Sequence, residues 1–213
     1  MDKVNAYIDD HSERRIALLE RLCRQPSISA HGAGLEEMAE LTAEAMREYG
    51  VNAELLPVDG GPPLVYAEVA GRSPRTLLFY NHYDVQPVDP LDEWTSPPFE
   101  PTRREGKLFA RGVSDNKGDL AVRLEAIAAL REVNGELPLN IKFLAEGEEE
   151  SGSPHFPAAV QTYKDRLAAD VCLSEGTGTG PDGRPSLVLG VKGMLYVELT
   201  TQTAQVDAHS AYA

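Results

Sequence analysis

The chain has 213 residues, is 42% hydrophobic, and carries 34 acidic side chains against 20 Lys and Arg, a formal net charge of -14. That allows one ordinary core, or one domain and part of a second, and it excludes nucleic acid as the expected partner, since phosphate binding needs clustered Lys and Arg. The N-terminal MDKVNAYIDDHSERR is too charged for a secretory signal, and no apolar run approaches the ~20 residues of a membrane span. Cys23 and Cys172 are too few for a disulfide framework or a Cys-type zinc site. A cytoplasmic protein that does not engage a membrane is the expectation.

Residues 2–23 carry apolar positions at helical spacing and end in IALLERLC. GLEEMAELTAEAMREYG predicts a second helix, with Leu35, Met38, Leu41, Ala45 and Met46 on one side and Gly50 as its stop. Strand-like runs follow in AELLPV, LVYAEVAG and RTLLFYNHYDV. The Pro-rich QPVDPLDEWTSPPFEPTRREG has neither period; a loop of such length in a compact domain is usually functional or disordered. KGDLAVRLEAIAALREVNG predicts a helix, NIKFLAE a strand, 156–168 a helix, and DVCLSE a strand that would bury Cys172. This alternation argues for an α/β domain with a largely parallel sheet, whose chemistry gathers beyond the carboxyl ends of the strands. GTGTGPDGRP reads as a linker, and SLVLGVKGMLYVELTTQTA as consecutive strands, with a second domain beginning near Gly193.

The polar residues at the predicted strand ends are His82 and Asp84 in LLFYNHYD, Glu149 and Glu150 in FLAEGEEESGS, and Glu175 in DVCLSE; Asp115 precedes a helix in RGVSDNKGD. Each has an ordinary alternative: a structural histidine, a helix cap at Asp115, a solvated acidic turn, a surface Glu175. Together, one imidazole and several carboxylates at one sheet edge make a mixed N/O metal site suited to zinc, manganese or cobalt. His82 and Asp84, at i and i+2 of a strand, face the same way, so Asp84 can hold the second imidazole nitrogen. A carboxylate that is not a ligand can act as general base. Alternation in an extended chain would point Glu149 and Glu150 apart. The sequence lacks the G-x-S-x-G of a serine hydrolase, and GTGTG lacks the spacing of a dinucleotide loop.

HYDVQPVDPLDEWTSPPFEPTRREGKLFARGVSDNKG, followed by EGEEESGS, closely resembles the M20 family of metallopeptidases, most of all its dipeptidase branch, which includes carnosine dipeptidases. The similarity runs from LCRQPSIS to DAHS and spans about the first half of a typical member. It implies a three-layer α/β/α catalytic domain of the zinc-peptidase type over residues 1–192, with residues 193–213 opening an incomplete α+β lid and dimerisation domain. It also implies two divalent metal ions, a dipeptide, small-peptide or acyl-amino acid substrate, and a homodimer in the full-length form. Carried over position by position, His82 would bind one ion, Asp115 would bridge both, Glu175 would complete the shell of the first, and Glu150 would bind the second. Glu149 would be the general base, Asp84 would orient His82, and the lid residue His209 would contact substrate. Glu146 and Glu148 have no assigned role and are expected to be supporting. Dipeptidase relatives more often carry Asp where this chain has Glu175, a Glu being common in relatives that cleave acyl-amino acids. Ala211 stands where Gly is usual. The family's last ligand, a histidine near the C-terminus of full-length members, has no counterpart here, so tighter binding is expected at His82, Asp115 and Glu175 than at Glu150, and little peptidase activity is expected from these 213 residues alone. A deacylase of N-acyl amino acids and a catalytically incomplete metal-binding fragment are the alternatives.

Overall fold

The structure is a computed structural model; it describes all residues except 176, 177, 179, 181, 191, 194, 203–210, 212 and 213. Two compact units divide at Gly176 and Thr177, within the segment expected as a linker. All helices and strands described below belong to the first.

The order is α1 (Asp2–Asp10), α2 (Ser12–Arg24), α3 (Leu35–Glu48), β1 (Asn52–Val58), β2 (Gly61–Val69), β3 (Ser73–His82), β4 (Thr102–Arg104), β5 (Lys107–Phe109), α4 (Lys117–Asn134), β6 (Leu139–Glu146), α5 (Phe156–Leu167) and β7 (Val171–Leu173). The helical run expected over 2–23 is broken at His11, whose ring nitrogen bonds back to the Tyr7 carbonyl. Helix α4 ends where Gly135 takes φ 79° and its N–H reaches the Arg131 carbonyl, the left-handed stop that glycine allows without a Cβ penalty.

Five strands form one sheet in the order β1-β2-β6-β3-β7. It is mixed: β3 runs parallel to both β6 and β7, while β2 is antiparallel to β1 and β6. The parallel part is thus confined to β6, β3 and β7. Between β1 and β2 only Asp59 and Gly60 intervene, with Gly60 at φ 77°, the Asp-Gly signal of a tight hairpin. The Pro-rich segment expected to lack periodicity holds a second hairpin, β4 with β5, turned by Glu105 and Gly106, both at positive φ. Arg103 of that hairpin pairs with Glu13 and Glu20 of α2.

Helices cover both faces, as the three-layer expectation required. On one side Leu22, Met38, Met46 and Leu124 of α2–α4 pack against Val65 and Phe143; on the other Ala159 and Leu167 of α5 pack against Leu64, Tyr66, Leu78 and Leu144. Central strand β6 therefore buries alternate residues into different layers, which is why NIKFLAE reads as a nearly continuous apolar run.

Two expectations fail at the sheet's far edge. Cys172 is exposed, not core: β7 is an edge strand only three residues long, with Val171 exposed beside it. Beyond β7, the described residues of 182–202 form no helix or extended strand. Leu189, Leu195, Tyr196 and Leu199 are exposed, and strand propensity without a ladder partner or a face to bury does not make a sheet.

Phe143 is fully buried and stacks obliquely on Phe79, ring centroids 5.2 Å apart. Phe143→Ala should cost about 3–5 kcal/mol in urea unfolding, against about 0.5 kcal/mol or less for Val122→Ala on the exposed face of α4. Equal costs would place the core elsewhere.

Candidate metal centre

The register of β3 with β6 aligns His82 with Glu146, so both strands end at the same edge of the sheet. The ladder continues one step further, the Tyr83 N–H donating to the Glu146 carbonyl. Gly147 then passes so near Tyr83 that a Cβ there would fall 2.4 Å from the ring, which only glycine avoids.

His82 is buried, and its ring is fixed from behind. Its Nδ1 lies 3.1 Å from the Asp84 carbonyl oxygen and 3.3 Å from Asp84 Oδ1. Both are acceptors, so Nδ1 must carry a hydrogen, and in the neutral ring Nε2 is left as a lone pair facing outward. Asp84, fully buried, does a second job: its two oxygens accept the backbone N–H groups of Glu149 at 3.2 Å and Glu150 at 3.0 Å.

The four glutamates of the acidic stretch separate into two pairs. Glu146 is buried and accepts from the Tyr80 hydroxyl at 2.7 Å and from Ser153 Oγ at 2.8 Å. Burial raises its pKa, against the pull of those two hydrogen bonds. Glu148 is paired with His155 at 2.9 Å. Both are supporting residues, as expected. Glu149 and Glu150 belong to a single 3-10 turn, Glu149–Ser151, closed by Gly152 at φ 87°. The expectation that they point apart fails for this reason: a turn, unlike a strand, does not alternate its side chains. Glu150 Oε2 accepts from Gln86 Nε2 at 2.8 Å. The Glu149 pKa is raised, first by burial and then by the neighbouring Glu175.

Three carboxylates converge on His82 Nε2. Glu175 Oε2 is 2.8 Å away, Asp115 Oδ1 2.9 Å and Glu149 Oε2 3.9 Å. Candidate ligand atoms of His82, Asp115 and Glu175 lie within 4.8 Å of one another, and so do those of His82, Glu149 and Glu150. His82 is common to both groups. Asp115 is not a helix cap; that place is taken by Asn116, whose side chain makes no capping bond.

A ring nitrogen with at most one hydrogen cannot satisfy two carboxylates. Glu175 Oε2 makes this concrete, being a buried oxygen with no hydrogen-bond donor despite its approach to Nε2. Burial disfavours charge on the ring, yet Asp84 and Glu175 outweigh it and push the His82 pKa up to about 11. The pocket selects for positive charge at one point, and a divalent cation bound by one imidazole nitrogen and several carboxylate oxygens fits it. His209 lies outside the described residues.

Sequence reasoning missed Gln86, an exposed donor to Glu150, and also Tyr80, Ser153 and the pair Asn81 and Asn116, which hold the site from behind. It also missed Arg123 and Glu125, both buried. The signal was present in α4, where these two charges interrupt the apolar positions Leu120, Leu124 and Ile127.

A model of peptidase family M20/M25/M40 matches residues 78–212. Human Beta-Ala-His dipeptidase is 31% identical over 99% of this chain and 45% of its own length. The Cys-Gly metallodipeptidase dug1 of Schizosaccharomyces pombe is 30% identical over 99% of this chain and 48% of its own. The chain thus spans about half the length of the curated relatives it matches. Among solved structures, the M20 family metallo-carboxypeptidase Sso-CP2 from Sulfolobus solfataricus superposes with a TM-score of 0.80 at 46% identity, covering 84% of this chain and 41% of that one.

Asp84→Asn would turn an amide toward two backbone N–H donors that now meet carboxylate oxygens. Zn²⁺ affinity should fall about 10–100-fold, read by chelator competition; an affinity within twofold of the unsubstituted chain would remove Asp84 from the orienting role.

Proposed function

Because the chain belongs to peptidase family M20/M25/M40, we propose that its site hydrolyses the amide bond of dipeptides or small peptides with two divalent metal ions, zinc fitting the donor set best. The observation that carries this reading is the convergence of Glu175, Asp115 and Glu149 on one imidazole nitrogen, with a buried Glu175 oxygen lacking a donor. His82, Asp115 and Glu175 would hold one ion; Asp115 and Glu150 would hold the second. When bound, such ions polarise the attacking water and the scissile carbonyl and neutralise developing charge.

The chain's own residues supply the rest. Glu149 is the general base: it takes a proton from the attacking water and delivers it to the leaving amine. Its raised pKa suits that exchange, since a carboxylate of ordinary pKa is a weaker base near neutrality. Asp84 fixes the imidazole tautomer and anchors the turn that carries Glu149 and Glu150. On the resemblance alone, His209 is assigned to bind substrate and to help stabilise the oxyanion. Homodimerisation through a lid and residence in the reducing cytoplasm belong to the same reading; Cys23 and Cys172 are both free thiols.

The relatives favour peptides: two are named dipeptidases and one a carboxypeptidase. A deacylase of N-acyl amino acids is the second reading, favoured by Glu at position 175. A panel of dipeptides, longer peptides and N-acyl amino acids, assayed with metal-loaded protein by amine release, separates them. Dipeptides should turn over fastest; a preference for acylated amino acids would shift the assignment to the second reading.

In the longest available form of the protein, Glu149→Gln should lower kcat about 10²–10⁴-fold while metal content, measured by mass spectrometry of the purified protein, stays unchanged. Turnover within a few-fold of the parent would exclude Glu149 as the base.

A further inference from the structure

Arg123 is a buried cation that the proposed chemistry does not use. It projects from α4 behind the sheet edge, with its guanidinium 5.0 Å from the centre of the Phe79 ring. Nη1 donates to the Tyr80 carbonyl at 2.6 Å and to Asn81 Oδ1 at 2.7 Å; Nη2 donates to the Ser174 carbonyl at 2.8 Å. Asn81, also buried, passes the connection on, its Nδ2 donating to Asn116 Oδ1. Asn116 is buried in turn, and its Nδ2 donates to Asp119 Oδ2 at 3.1 Å.

The order of these residues along the chain gives the network its meaning. Tyr80 and Asn81 lead into His82, Ser174 precedes Glu175, and Asn116 follows Asp115. One guanidinium and two amides therefore tie together the chain neighbours of His82 and of Asp115 and Glu175, two of the three carboxylates that crowd its Nε2. Glu149 and Glu150 are held by other means, through Asp84.

We propose that Arg123 is a positioning residue: it sets the mutual separation of His82, Asp115 and Glu175, and through them the affinity and coordination geometry of a divalent cation that it never touches. The proposal rests on the metal reading of the site. A planar guanidinium suits the task because its donors leave in fixed directions, so the carbonyls of Tyr80 and Ser174 and the amide oxygen of Asn81 are held at fixed positions about one group. Hydrogen bonds from a charged donor are also the stronger kind. Lysine keeps the charge but, with a compact ammonium on a flexible stem, cannot reproduce the fork.

Co²⁺ binding to the full chain tests this without reference to turnover, since the visible d–d absorption reports coordination geometry directly. Arg123→Lys should bind Co²⁺ about 10–100-fold more weakly, with a shifted and weakened visible band, while circular dichroism shows the native helix content. Asn81→Ala keeps the guanidinium's two backbone bonds and removes its bond to Asn81 together with the link to Asn116; a smaller loss, several-fold, is expected from it. Arg123→Lys with the parent's affinity and spectrum would overturn the proposal. Should Arg123→Lys fail to fold, Asn81→Ala decides, and parental affinity and spectrum in that variant would overturn the proposal equally. Absence of Co²⁺ and Zn²⁺ binding by the unsubstituted chain would instead overturn the metal reading on which the proposal stands.

Discussion

Carboxylates drawn to within a few ångströms of one another repel, and the repulsion grows as water is withdrawn. Asp115, Glu149 and Glu175 nonetheless meet at one nitrogen of a buried imidazole. Such a cluster exists only if its members are fastened from behind by something stronger than their mutual aversion. The first fastening is the sheet. Parallel pairing of β3 with β6 and β7 brings three carboxyl ends to a common edge, so His82, the acidic turn and Glu175 become neighbours although they are far apart in the chain. The antiparallel strands β1 and β2 contribute none of these side chains; they widen the sheet that α3 and α5 cover.

The second fastening is made of buried polar groups of both signs. Asp84 gathers N–H donors, from the acidic turn and from the imidazole. Arg123 gathers carbonyl oxygens, from Tyr80 and Ser174. Glu146 accepts from Tyr80 and Ser153 and so pins the turn's far end. A buried peptide group left without a partner is costly, and the frayed ends of parallel strands leave several. Here the residues that remove that cost also hold the acidic side chains in place. Polar satisfaction and site geometry are the same set of contacts.

This explains which parts of the molecule were legible in the sequence. Helices α3 and α4 and strands β1, β2, β3 and β6 announce themselves because burial imposes a period on their apolar residues, and period is a local property. The candidate ligands were legible for a related reason: strand ends are local features, and His82, Asp84, Glu149, Glu150 and Glu175 sit at them. The antiparallel placement of β2 against β6 was not, since pairing between strands some seventy residues apart leaves no mark on either. Nor was the hairpin of β4 and β5, whose strands of three residues are too short to show a period. The burial of Arg123 and Glu125 was not legible either; their partners, Ser174 for one and Tyr49 for the other, lie 51 and 76 residues away. The misjudged direction of Glu149 and Glu150 has the same origin, since whether EEE continues a strand or enters a turn is decided by Asp84, 65 residues earlier.

The division among the four glutamates follows from what faces them. Glu146 and Glu148 look back into the protein, where Tyr80, Ser153 and His155 supply donors, and their acidity is spent on holding the turn. Glu149 and Glu150 look out; the Glu150 carboxylate accepts from Gln86, while Glu149 faces His82 Nε2 at 3.9 Å. Glu149 is therefore the less committed of the pair, and burial beside Glu175 raises its affinity for a proton. A carboxylate that is anchored through its backbone and raised in pKa suits proton transfer. A carboxylate already oriented by a neighbouring amide is better suited to hold a cation. On the proposed reading, the adjacent positions 149 and 150 take different roles because Asp84 fixes both backbones while Gln86 restrains only one side chain.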